Sequence, residues 1–308
     1  MKKRILSLWY RAGTSLRNNL PLGLGVALVL GCSAHAGAAP APADLTTAAD
    51  PVVILNVADL HVTGPDSMEE FKQVVAFANA AIHPALTYIA GDTPHGGTLA
   101  EYQAYKQVRD TLRGPVVDVA GDHEAKGGGL EHYRKVLGEP TYSFPVGDRW
   151  QIVGLNSMGV DDAQLAWARQ ELITAKEKKR AGLIFIHHNF AGIKDKAAQE
   201  KLNALVKDTG VKLVLAGHTH NNTVINDGAG LQITTTSIKE PRGTDPKGWA
   251  LLTLDEGRVA WHFIPLGQQP ILAVCSPSAN SWPPARRALS AARPCSASKH
   301  LIPLASKA

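Results

Sequence analysis

Cysteine is scarce in this chain: three residues in 308, and none of them in a C-x-x-C or Cys/His spacing. That excludes a disulfide-dense mini-protein, and no thiolate zinc site can be read from the sequence. Acidic residues are missing from both ends. Residues 1–36 and 267–308 each carry five Lys or Arg and no Asp or Glu, so 37–266 keeps 22 basic against 27 acidic residues. The whole-chain charge of +5 is therefore a property of the ends, and the part that can fold is mildly acidic. No basic stripe remains in it to hold nucleic acid. Aromatics are only 6%, and the 28 Gly and 19 Pro follow no collagen-like period. With 44% hydrophobic residues, the chain is neither disordered nor fibrous.

The ends read as something other than the domain. A basic segment to about Asn19 is followed by the apolar stretch Leu20–Leu30, short of the roughly 20 residues a membrane span needs. Ala34-His35-Ala36 then fits an A-x-A cleavage pattern, so 1–36 is expected to be a signal peptide of an exported, periplasmic or secreted protein. The competing reading is a lipoprotein signal at Val29-Leu30-Gly31-Cys32, which would tether the protein to a membrane through Cys32. Residues 37–50 read as a linker. The tail, 267–308, is rich in Ala, Ser and Pro without sustained period and is expected to be disordered; Cys275 and Cys295 could pair there or stay free.

Between them, 51–266 alternates strand-length apolar runs with helix-period stretches. Strands are expected at 52–58, 86–90, 115–120, 142–146, 150–156, 182–188 and 211–217, with helices at 67–82, 99–112, 130–137, 161–179 and 196–208. Ser67 is the expected N-cap of the first helix. From 222 the pattern turns to short strands. There is no internal repeat. The expectation is one α/β domain with two sheets packed together and helices outside.

Polar residues gather at the C-terminal ends of these strands, the edge at which open α/β sheets bind ligands. They are Asp59 and His61, then Asp92, then Asp122, His123 and Glu124, then His187 and His188, then His218 and His220. A lone D-x-H or G-D is more often a turn or a cap. Five such groups, each directly after a β-rich run, supply the carboxylates and imidazoles that a pair of cations needs. His83, His95, His132 and His262 read as surface or satisfied polar residues, with His95 set apart by lying three residues past Asp92.

On these motifs, over roughly 52–266, the chain resembles the calcineurin-like metallophosphoesterase superfamily. The resemblance implies a four-layer αββα sandwich and hydrolysis of a phosphomonoester or phosphodiester with two metal ions, Mn, Fe or Zn. It implies Asp59, His61 and His220 as ligands of a first metal and Asp92 as the bridging carboxylate. It also implies His218 on the second metal, Asp122 and His187 as further metal ligands, and His123 as protonating the leaving group or steadying the phosphate. The family's later strand-end His, often followed two residues on by Pro, matches His187 best, since Asn189 sits where that Pro would be. His188, which alternation would turn to the opposite face, is the second choice. Two departures stand out: Asp122 replaces the family's usual Asn, adding negative charge, and Asn189 replaces a usual Pro. No Tyr beside the ligands matches the purple acid phosphatases. The partner implied is a small-molecule or lipid phosphoester. A sphingomyelinase-like branch would want an apolar accessory segment, for which only 271–274 offers itself, and a metal-binding protein with a weakened site is the non-enzyme alternative.

Overall fold

A computed structural model describes residues 45–268, apart from Ala49 and residues 227–229. The expected signal peptide, most of the linker and nearly all of the tail, with Cys32, Cys275 and Cys295, lie outside the described residues. Among these residues no helix is long and apolar enough to cross a membrane.

Among the described residues, eleven strands form two sheets. The first, in order β11-β10-β1-β2-β3, joins the parallel strands β1 (Val52–Val57), β2 (Leu86–Ile89) and β3 (Val116–Asp118) to the antiparallel β10 (Gly248–Asp255) and β11 (Arg258–Pro265). The second, in order β4-β5-β6-β7-β9-β8, has parallel β5 (Trp150–Gly154), β6 (Ala181–Phe185), β7 (Leu213–Ala216) and β9 (Leu231–Thr234). β4 (Tyr142–Val146) and β8 (Thr223–Asn226) run antiparallel at its edges. The expected hairpin around Gly147 is the β4–β5 pair.

Alternation along each strand divides the apolar residues between two cores. Ile54, Tyr88, Leu183, Phe185, Leu213, Leu215 and Leu252 face inward between the sheets. Leu55, Val57 and Ile89 face outward onto helices α1 (Glu69–Phe77) and α2 (Leu99–Arg109). On the other side Ile184, Ile186 and Val214 pack under α4 (Asp162–Glu177) and α5 (Lys196–Thr209). Strands buried on both faces read as continuous apolar runs, which is why VVILNV and GLIFI lack a polar side. The result is the expected helix–sheet–sheet–helix layering.

The helices begin where the local chemistry allows. Thr98 and Glu101 form a capping box on α2, Asp161 accepts the Gln164 N–H at the start of α4, and Asp195 caps α5, which stops at the left-handed Gly210. The short α3 (Leu130–Leu137) spans its expected residues. The first helix corrects two expectations. It starts after Met68, because Ser67 Oγ instead accepts the N–H groups of Thr63 and Gly64 and closes a separate 3-10 turn at Pro65–Ser67. It also loosens after Phe77 into a π turn, Ala78–Ile82. Upstream, Leu45 is buried between the sheets and its carbonyl accepts the Gly147 N–H at 2.6 Å, so packed structure already exists within the expected linker.

Candidate metal centre

The C-terminal ends of β1, β2 and β3 in one sheet meet those of β6 and β7 in the other. The loops leaving β1 and β2 run side by side, with the N–H groups of Asp59, His61 and Val62 donating to the carbonyls of Gly91, Asp92 and Thr93. Beneath the centre, the Tyr88 hydroxyl reaches the carbonyls of Ile186 (3.1 Å) and Leu215 (3.2 Å), tying the second sheet's strand ends to the first sheet. Glu124, fully buried, accepts the N–H groups of Asp92, Thr93 and Gly121 and so fixes the β2 loop against the β3 loop. Burial, with Asp92 beside it, pushes the Glu124 carboxyl up to about 8.

Backbone strain concentrates here. Asp59, His61, Asp92, His218 and His220 all have φ between 46° and 70°, the left-handed region that non-glycine residues seldom occupy. Close approach needs glycine as well: a Cβ on Gly121 would run into the Asp92 carboxylate and the His187 ring, and one on Gly217 would stand 2.8 Å from Asp59 Oδ2.

Ten sequence-selected residues converge. Asp59, His61, Asp92 and His220 offer donor atoms within 4.8 Å of one another, all buried. Asp122, His187, His188 and His218 do the same alongside. Asp92 joins the two groups, its Oδ2 lying 3.3 Å from His187 Nε2 and its Oδ1 accepting the His123 N–H at 2.9 Å. Asp59 accepts the backbone N–H of His218 on both oxygens and lies 3.4 Å from His220 Nε2.

Backbone carbonyls select the imidazole tautomers. A carbonyl only accepts, so His187 Nδ1 donates to Ala90 (2.7 Å) and His220 Nδ1 to Glu240 (2.5 Å). When these rings are neutral, each Nε2 therefore presents a lone pair to the centre, as metal-binding histidines require. His61 Nε2 faces His220 Nε2 at 3.1 Å. His187 Nε2, Asp122 Oδ1 and His61 Nδ1 are buried without hydrogen-bond partners. Donors gathered this closely and left unpaired fit cations.

The charges respond to this crowding. Burial opposes protonation of His187, but Asp92, Asp122 and Asp59 outweigh it and raise its pKa well above the ordinary value. His220 is raised by Asp59 against its burial. Burial lowers His61 to about 3, and lowers His188 to about 3 with help from His187 and His218. His187 holds Asp92 down to about 2 against its burial, and His187 with His218 holds Asp122 far below the carboxylate range.

Three features were not expected. His188 does not turn away: β6 ends at Phe185, so strand alternation no longer governs residue 188, and its Nε2 comes within 3.8 Å of Asp122 Oδ1. His95 joins the centre, its ring 5.8 Å from that of His61 and 5.2 Å from that of His123, and its carbonyl accepts His123 Nδ1 at 2.6 Å. Lys126 Nζ lies 2.8 Å from His123 Nε2. Asn189, in place of the usual Pro, accepts the Gly192 N–H and caps the 3-10 turn Phe190–Gly192. His132 keeps its bland reading, bonded to the Gly97 carbonyl.

Comparison with known proteins bears on the family and the fold. Residues 52–222 match the family model of the calcineurin-like phosphoesterases. A probable cyclic nucleotide phosphodiesterase of Synechococcus is 26% identical over 237 residues, 66% of this chain and 87% of the relative. Among solved structures, a dimetal phosphatase of Danio rerio superposes with a TM-score of 0.57 at 15% identity, over 70% of this chain and 96% of its own. GAP50, the anchor in the inner membrane complex of Plasmodium, superposes with a TM-score of 0.54 at 13% identity, over 72% and 86%. At such identities the two structures speak for the fold.

Proposed function

The chain belongs to the calcineurin-like phosphoesterase family and is a phosphoric ester hydrolase, and from that premise we propose a two-metal phosphodiesterase acting on small phosphodiesters, with cyclic nucleotides the first class to test. The observation that carries the reading is the pair of adjoining donor groups that meet at Asp92. The similarity to a probable cyclic nucleotide phosphodiesterase supports the substrate class.

In this reading Asp59, His61 and His220 would hold one cation and Asp122, His187 and His218 the other, with Asp92 available to both. Bound there, Mn, Fe or Zn ions would supply Lewis acidity to the phosphoryl group and acidify the attacking water. His123 performs the proton chemistry. Its Nδ1–H is committed to the His95 carbonyl, leaving Nε2 as the atom that meets the leaving group, with the Lys126 ammonium beside it. The P–O bond to the leaving group breaks with its electron pair on the departing oxygen. For that oxygen to take a proton from His123 Nε2, the ring must be the imidazolium and the Lys126 ammonium turned aside. An ammonium at 2.8 Å donates only to an unprotonated nitrogen. The proton lost by the attacking water then restores the balance.

The test is a metal-loaded panel of aryl phosphate, bis-aryl phosphate and 3′,5′- and 2′,3′-cyclic nucleotides, with and without chelator. Diesters should be turned over faster than the monoester, and chelation should abolish both. Turnover indifferent to chelator, or none on any substrate, overturns the reading. We also propose, from the basic leader and the Ala34-His35-Ala36 pattern, that the protein acts outside the cytoplasm. N-terminal sequencing of the exported fraction should begin at Gly37, or find lipid on Cys32. A soluble cytoplasmic product with Met1 intact refutes both.

A further inference from the structure

The second donor group holds one imidazole more than the family resemblance requires. His188 is buried, its ring lies over that of His218 with centroids 3.8 Å apart, and its Nε2 stands 3.8 Å from Asp122 Oδ1. That separation is too long for a hydrogen bond. It suits two donors of one cation, which at bond lengths of about 2.0–2.2 Å stand roughly 3–4 Å apart. Asp122 Oδ1 is similarly placed from His187 Nε2, at 3.5 Å, and from His218 Nδ1, at 3.2 Å.

The far side of the His188 ring is organised as a ligand's would be. Ser157 Oγ lies 2.8 Å from Nδ1 and also accepts the His188 backbone N–H at 3.4 Å. A hydroxyl has two acceptor lone pairs, so Ser157 can take both N–H groups and leave Nε2 unprotonated toward the centre. His187 has the same arrangement, with the Ala90 carbonyl in place of the serine.

We propose that His188 is a further metal ligand of the second site, its tautomer set by Ser157. The assignment rests on the two-metal reading above. It makes the sites unequal: the second has three imidazoles with Asp122 and Asp92, the first two imidazoles with Asp59 and Asp92. The nitrogen-rich site should favour Zn²⁺, Co²⁺ or Ni²⁺ over Mn²⁺ or Mg²⁺ more strongly than its neighbour.

The full chain is stripped of metal and reloaded with Zn²⁺ or Co²⁺, following stoichiometry by calorimetry and the Co²⁺ visible bands. The wild type should take two equivalents. His188→Gly should weaken one of them by at least about 10–100-fold, alter the Co²⁺ bands of that equivalent only, and recover both when free imidazole is added. Ser157→Ala should weaken the same equivalent by less. If the glycine variant unfolds by circular dichroism, His188→Asn should show the same loss on a more conservative background. Two equivalents bound to the variants with wild-type affinity and bands overturn the assignment while leaving the two-metal reading intact. A loss that imidazole does not repair in a folded glycine variant overturns it too, since the ring would then only pack. A wild type that binds no metal overturns both.

Discussion

At Asp122 one atom decides the charge of the second site. An Asn there would present an oxygen with no net charge, whereas Asp122 faces His187 and His218 as a carboxylate held far below its ordinary pKa by both. Extra negative charge strengthens cation binding but lowers the Lewis acidity the cation offers a substrate. Asp122→Asn should thus lose some metal affinity while turnover holds or rises. His123→Ala should keep its metals and lose turnover, about 10²–10⁴-fold for alkoxide leaving groups and little for nitrophenolate. Metal content and rates on both leaving-group types decide it: equal slowing on both would make His123 a phosphate clamp. His187 supplies the pH dependence. Its metal-free pKa is raised well above the ordinary value, so at neutral pH the empty site carries a proton that a cation must expel from Nε2. Metal affinity should therefore rise with pH, by up to about tenfold per unit for one proton, and level off above the raised pKa. Calorimetry in buffers of different ionisation enthalpy counts the protons released. A release of zero with flat affinity contradicts the assignment.

At the scale of elements, the centre depends on strand ends held in register by buried polar groups. Tyr88 on β2 reaches the carbonyls that end β6 and β7 and stacks on Phe185 with centroids 4.0 Å apart. The Leu215 carbonyl also accepts the Ile186 N–H, so Tyr88→Phe chiefly orphans the Ile186 carbonyl. The cost should be about 1–3 kcal/mol, read as a lower denaturation midpoint with the slope unchanged. A variant as stable as the wild type would show that the hydroxyl contributes nothing. Strands, helices and the edge where ligands collect were legible because alternation and amphipathic spacing are local: α5 buries Ala198, Leu202, Leu205, Val206 and Thr209 along one face. The side chains that steer the centre were not legible. His188 ranks behind His187 when alternation is carried past the end of β6, and the His95–His123 and Ser157–His188 pairs join residues 28 and 31 apart in sequence. Ser67 illustrates the same limit in miniature. As a helix cap it was the natural reading, yet Thr63 and Gly64 compete for its hydroxyl and win.

For the whole molecule the consequence is mechanical. Asp59, His61, Asp92 and Asp122 leave the first sheet, while His187, His188, His218 and His220 leave the second. Besides a largely apolar interface, the two sheets are tied by hydrogen bonds such as those of Tyr88 and His187, and cations at this edge would act as further cross-links between them. Any ligand that binds only the folded state stabilises it, by about 2.7 kcal/mol at a free concentration a hundred times its Kd. For a domain of this size each kcal/mol moves Tm by roughly 2–4 °C. Removing the metals should then lower Tm by about 5–10 °C per site occupied at that level, and restoring them should raise it in proportion to the logarithm of their concentration. Asp92→Asn, which touches both donor groups, should remove most of the shift, whereas Asp122→Asn should remove only part of it. A scan in which the wild type melts at one temperature with and without chelator would mean that bound cations add nothing to the contacts already joining the two sheets.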